Sequence, residues 1–190
     1  MTSTEPDPAG EDAGRRGDPP PARLIGLSPY HPEMQPQRLR TPAPDPDRLL
    51  PPEAHLSARI RAFLEDVHAV TIGTTGPDGE PHQAVAWYRL EPDDRILLNS
   101  RWPRRWPTDL SRDGRCSLAI LDEANPMRWV GLAGVVETRI DDLETARDDI
   151  CALAVRYADD GPETIARFRS QPRVSFRVRI TAVHDHLGDE

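Results

Sequence analysis

The sequence predicts a mainly β, α+β domain whose antiparallel strands close into a small barrel behind a proline-rich leader. Three observations carry that expectation. The first three strand-like runs succeed one another through turns too short to hold a crossover helix, so they are antiparallel neighbours. The last run, Arg173–Val183, alternates: Val174, Phe176, Val178 and Ile180 point one way, Arg173, Ser175, Arg177 and Arg179 the other. That is the pattern of a strand buried on one face. Of the 21 prolines, 13 precede residue 53, where large apolar residues are sparse. Such a segment buries too little surface to offset its ordering entropy. Residues 1–53 are therefore expected to be a disordered leader, and 54–190 the folded domain.

The elements follow in order. Leu56, Ile60, Phe63 and Leu64 recur at helical spacing behind Ser57, a good N-cap, and predict a helix over 57–66. His68–Thr75 is rich in β-branched residues, Gly76-Pro-Asp-Gly79 is a turn, and Gln83–Leu90 is a second strand. Pro92-Asp93-Asp94 turns the chain into the strand Arg95–Ser100. A helical turn over Pro107–Arg112 precedes the strands Cys116–Leu121 and Arg128–Arg139, where Gly131 and Gly134 mark bulges or close backbone approach. Asp141–Tyr157 is an amphipathic helix led by acids, and Pro162 opens a shorter one through Phe168. Six strands result, and closing them removes the exposed sheet edges that invite aggregation.

Composition narrows the function. The net charge is −8 and every basic residue is arginine, so the overall field does not draw nucleic acid. No run approaches the length of a membrane-spanning helix and no leader shows a secretory pattern, which makes the cytoplasm the expected compartment. Cys116 and Cys151 lack paired spacing and are expected to be free, buried side chains. His184 and His186 share one side of a strand end but have no third ligand in view, so no metal site is expected. The acids from Asp141 to Asp149 fit a helix start and a solvated face rather than paired acid–base catalysis.

The stretch with chemistry in it is Asn99-Ser-Arg-Trp-Pro-Arg-Arg-Trp-Pro107. Three arginines and two tryptophans lie between a strand and a helical turn. Guanidinium forks pair with phosphate bidentately, and the amides of a following turn add positive potential. Tryptophan supplies a flat apolar face. The combination suits an aromatic cofactor bearing phosphate; a solvated basic loop flanked by core tryptophans is the plainer alternative.

Ala69–Tyr88 resembles the opening hairpin of the pyridoxamine 5′-phosphate oxidase-like superfamily, with an apolar strand, an Asp78-Gly79-Glu80-Pro81 turn and a strand ending in aromatics. Arg101–Leu121, running through Asp109-Leu-Ser-Arg-Asp-Gly-Arg-Cys-Ser-Leu118, resembles that family's phosphate loop and the strand after it. Arg128–Glu137 resembles its glycine-containing strand. The resemblance implies a six-stranded split β-barrel with flanking helices, and a homodimer with its cofactors at the subunit interface. It implies that Gln83, Val85, Ala86, Trp87, Asn99 and Ser100 line a ring and ribityl chain. It sets Arg101, Arg104, Arg105 and Trp106 around a phosphate. Where the family often has a second cation after the first, this chain has Trp106.

The closing segment, Arg173–His184, is similar to that of the deazaflavin (F420) branch, with FMN as the other candidate cofactor. The family's Arg-x-His substrate motif is missing, so pyridoxamine-phosphate oxidation itself is not expected. The implied function is an oxidoreductase that passes hydride to or from a small organic molecule. The alternative is a non-catalytic flavin or deazaflavin carrier on the same fold. Tyr88 and His82 are the side chains able to donate a proton, although a strand Tyr and a turn-proximal His are more often structural.

Overall fold

The computed structural model describes residues 50–188, and the leader expected over 1–53 falls almost wholly outside them. Helix α1 (Ala58–Glu65) starts where the sequence sets it: the Ser57 hydroxyl accepts from the Ile60 amide, and Ile60, Phe63 and Leu64 are buried. Strand β1 (Val70–Thr75) alternates buried and half-buried positions. It turns through Gly79, whose φ of 81° favours glycine, into β2 (Pro81–Ala86).

The single strand expected over Gln83–Leu90 proves to be two. β2 stops at Ala86, and β3 (Tyr88–Leu90) begins after one residue, Trp87, so the sheet has seven strands rather than six. The reason lies in the pairing. β2 pairs only with β1, while β3 pairs with β4 (Arg95–Arg101). The remaining strands are β5 (Arg115–Leu121), β6 (Trp129–Ile140) and β7 (Arg173–His186). Their order, β2-β1-β5-β6-β7-β4-β3, sends two strands joined by a single residue to opposite edges. One residue bridges those edges only if the sheet curls until they meet at Trp87. No ladder joins β2 to β3 among the described residues, so the seam stays open beyond that corner. This is a split barrel.

Side chains seal the corner. Trp87 stacks on Tyr157 with ring centroids 5.0 Å apart. The Tyr157 hydroxyl donates to the His68 carbonyl at 2.5 Å and accepts from the Tyr88 amide at 3.1 Å. Tyr88 is fully buried and donates to the Leu64 carbonyl at 3.0 Å. The barrel interior is filled by Ile72, Ile96, Leu98, Leu118, Ile120, Phe176 and Ile180, all at most 2% exposed.

Helix α2 (Arg105–Arg112) starts two residues before the expected turn, with Pro107 still inside its first turn. Helices α3 (Leu143–Arg156, capped by the Asp142 carboxylate) and α4 (Pro162–Ser170) fill the connection between β6 and β7. The β6–β7 ladder shifts register at Ala133/Gly134 and again at Val136/Thr138. At Gly134 a Cβ would come within 2.4 Å of the Val178 Cγ1, the close approach its sequence context suggests. The second shift leaves Glu137 outside the ladder pairing, and a bulge of this kind re-aims a side chain.

Candidate functional site

The outer face of the sheet carries a cavity of about 270 Å³. Thr71 and Gly73 of β1, Ser117 and Ala119 of β5, and Gly131 and Ala133 of β6 form its floor. Small side chains on adjacent strands leave the backbone accessible to a flat group. Gln83 reaches the cavity from β2 and His184 from β7. Val85, two residues beyond Gln83 on the same outer side, is 72% exposed. Trp129 closes another side, with its ring stacked on His186 at 4.0 Å.

A second feature lies where β4 ends and α2 begins. The N-cap of α2 is Arg104, which makes no side-chain capping bond, and no acid occupies the first turn, so the helix presents an uncapped positive end. Arg105 reaches Glu80 at 2.6 Å. The Arg101 and Arg104 guanidiniums form no ion pair among the described residues. Burial and then the charge of Arg101 hold Arg104 below its ordinary pKa.

The ten residues expected to surround a cofactor therefore separate into three groups. Gln83 and Val85 face outward on β2. Arg101, Arg104 and Arg105 gather at the entrance to α2. Ala86, Trp87, Asn99, Ser100 and Trp106 make contacts within the fold. Ala86 lies against the core, and Trp87 is covered by Tyr157 and, edge-on, by Phe168. Asn99 is buried, donating to the Ala146 carbonyl at 2.7 Å and to the Ser175 hydroxyl at 2.9 Å. Ser100 is 3% exposed. Trp106 is 5% exposed and packs against Phe176 at 5.9 Å.

Two arginines that the sequence offers only as parts of a strand and a helix join the cluster. The β4–β7 register sets Arg173 directly opposite Arg101. The Arg173 guanidinium lies 4.6 Å from the Phe168 ring centroid, and that of Arg167 lies 5.3 Å from the same centroid. Strand register creates this neighbourhood, and no local motif encodes it.

His82 and Tyr88 each have hydrogen-bonding partners within the fold. The Thr74 hydroxyl donates to the Asp109 carboxylate at 3.0 Å, and the His82 Nδ1 is 3.6 Å from the same oxygen. This buried cluster ties α2 to β1 and β2. Burial raises the Tyr88 phenol far above its ordinary range, and its hydroxyl is already committed to Leu64. Cys116 is buried, with its thiol pushed up to about 12, while Cys151 is half-buried; both are free. No group of three metal-ligating side chains occurs among the described residues, and no helix there is long and apolar enough to cross a membrane.

Comparison with solved structures supports the architecture. An F420 reductase superposes with a TM-score of 0.56 at 22% identity, covering 65% of this chain and 94% of that one. A conserved hypothetical protein from Mycobacterium tuberculosis gives 0.57 at 24% identity, covering 70% and 87%. HutZ, a heme storage protein from Vibrio cholerae, gives 0.52 at 15% identity, covering 70% and 95%. At these identities the likeness concerns the fold alone. No curated protein matches the sequence. The family profile described as pyridoxamine 5′-phosphate oxidase, however, matches residues 56–187, nearly the whole of the described domain, and the chain belongs to that family.

Proposed function

We propose that the chain is an oxidoreductase that holds F420 or FMN on the outer sheet face and passes hydride to or from a small organic molecule, working as a homodimer. The observation that carries this reading is an uncapped α2 N-terminus, flanked by Arg104 and Arg105, together with a floor of small residues on the outer sheet face. Glu80, bound to Arg105, precedes Gln83 by three residues, about 10 Å of extended chain.

The residues fit such a group at both ends. Arg104 and the first amides of α2 would hold the phosphate, with Arg105 released from Glu80 as its second cation. Thr71, Gly73, Ser117 and Ala119 would lie under the ring, and the Gln83 amide would bond its polar edge. When bound, the ring supplies the hydride chemistry. The protein's part is to orient the ring and, with a second subunit covering exposed Val85, to keep water out. No side chain is assigned as acid or base. The cavity also has His184 on its rim, whose imidazole could bind iron, and this favours a second reading in which the same face takes heme.

Titration of the purified protein with FMN, F420 and hemin in turn, followed by fluorescence and absorbance, tests the reading. One of the two redox rings binds, and Arg104→Ala weakens it by about 1–3 kcal/mol. Binding of hemin alone, lost in His184→Ala, selects the second reading. A bound ring that no reductant or substrate bleaches leaves a carrier, and a protein that binds none of the three ends all of these assignments.

A further inference from the structure

The arginines at the end of β4 exceed what one phosphate needs. Arg101 and Arg173 are cross-strand partners, and like charges directly opposite each other destabilise a sheet. Arg167 joins them through the shared Phe168 ring, and Arg104 borders them from the loop. None of these four guanidiniums forms an ion pair among the described residues. Arg173 has only neutral partners: its Nη1 donates to the Asn99 Oδ1 at 3.3 Å and its Nη2 to the Gln171 Oε1 at 2.6 Å. Its Nε is buried with no acceptor. Burial, then Arg104, Arg101 and Arg167, push the Arg173 pKa down to about 10, the response of a cation crowded by others without an anion.

We propose that Arg101, Arg104, Arg167 and Arg173 form an anion subsite, apart from the Arg105 side of α2, that takes an oxyanion carrying at least two negative charges. The ligand of this protein therefore has an anionic part beyond a single phosphate, either a second phosphoryl group or a cluster of carboxylates. Two forked donors on adjacent strands, one of them held over the Phe168 ring, suit the paired oxygens of either group. Arg104 is shared with the cofactor reading, but the subsite stands without it.

Isothermal titration with inorganic pyrophosphate and, separately, with tricarballylate tests the subsite. At least one probe binds saturably; the tighter one identifies phosphoryl or carboxylate as the natural group. Arg101→Gln and Arg173→Gln each weaken that binding at least tenfold, while Arg115→Gln, at an exposed arginine paired with Asp113, leaves it within twofold. Circular dichroism of each variant confirms that the fold is retained, and Arg101→Gln, which loses no side-chain hydrogen bond among the described residues, keeps the test valid if Arg173→Gln misfolds. No binding of either probe, or full binding in Arg101→Gln, overturns the proposal. Failure of FMN and F420 to bind while pyrophosphate still does removes the cofactor reading alone.

Discussion

The β4–β7 ladder begins and ends on a pair of opposed arginines, and the two ends are treated differently. At one end Arg95 faces Arg179, and Glu137 lies between them. It accepts from the Arg95 Nε at 2.5 Å and from the Arg179 Nε at 3.0 Å, while Glu53 takes the Arg95 Nη1 at 2.8 Å. At the other end Arg101 faces Arg173 with no carboxylate between them. Asp141, which follows the β6 residue Ile140 paired with Ser175, is engaged by Arg139 at 2.7 Å. The bulge that leaves Glu137 unpaired in β6 makes the difference, because it gives one end an internal counter-ion. A fold that neutralises one such rung and leaves its counterpart bare keeps the bare one for charge from outside.

The comparison breaks first at the closed end. Glu137→Gln leaves Arg95, with only 10% of its side chain exposed, opposed to Arg179 with Glu53 as its remaining carboxylate. It should cost about 2–3 kcal/mol, below the range for a fully buried pair because Glu137 keeps 22% of its side-chain surface. The arginines hold the Glu137 carboxyl at about 2, against an ordinary 4.5. A depressed carboxyl contributes stability that is present above the ordinary value and lost as pH falls through the folded one. Denaturant midpoints of the two proteins should therefore differ fully near neutrality and converge as pH drops from about 4.5 towards 2. A constant gap across that window would remove Glu137 as the neutralising group.

Making the open end resemble the closed one gives a smaller change. Gln171→Glu keeps shape and puts a carboxylate 2.6 Å from the Arg173 Nη2. Stability should rise by about 0.5–1 kcal/mol, as for a partly exposed ion pair. Pyrophosphate binding should fall at least tenfold. Unchanged binding would mean that Arg173 is not a ligand. The smallest effect is the stability of Arg101→Gln, which relieves one like-charge rung and should gain about 0.5 kcal/mol in thermal unfolding. A loss instead would show that Arg101 has a packing role.

The contrast also marks what the sequence makes legible. Local features were readable: the Ser57 cap, the turn at Gly79, the close approach at Gly134 and the alternation of β7 each depend on a few neighbouring residues. Order and spacing of motifs were enough to identify the split barrel. Trp87 was not readable as a corner, because Gln83–Leu90 is continuous in its strand propensity and only the closure of the sheet divides it. Trp106 read as part of a binding loop, yet α2 turns it onto Phe176. Arg173 read as the solvent side of a strand. Its importance arises from a partner 72 residues away in sequence, and register is a property of the whole sheet.

Anomalous diffraction from crystals soaked in selenate measures the central claim directly. A selenium peak within hydrogen-bonding reach of Arg101 and Arg173, with none between Arg95 and Arg179, is the expected result. Crystals with an unobstructed β4–α2 entrance and no peak there, or with selenate bound at the Glu137 end instead, would contradict the claim that the bare rung awaits an external anion.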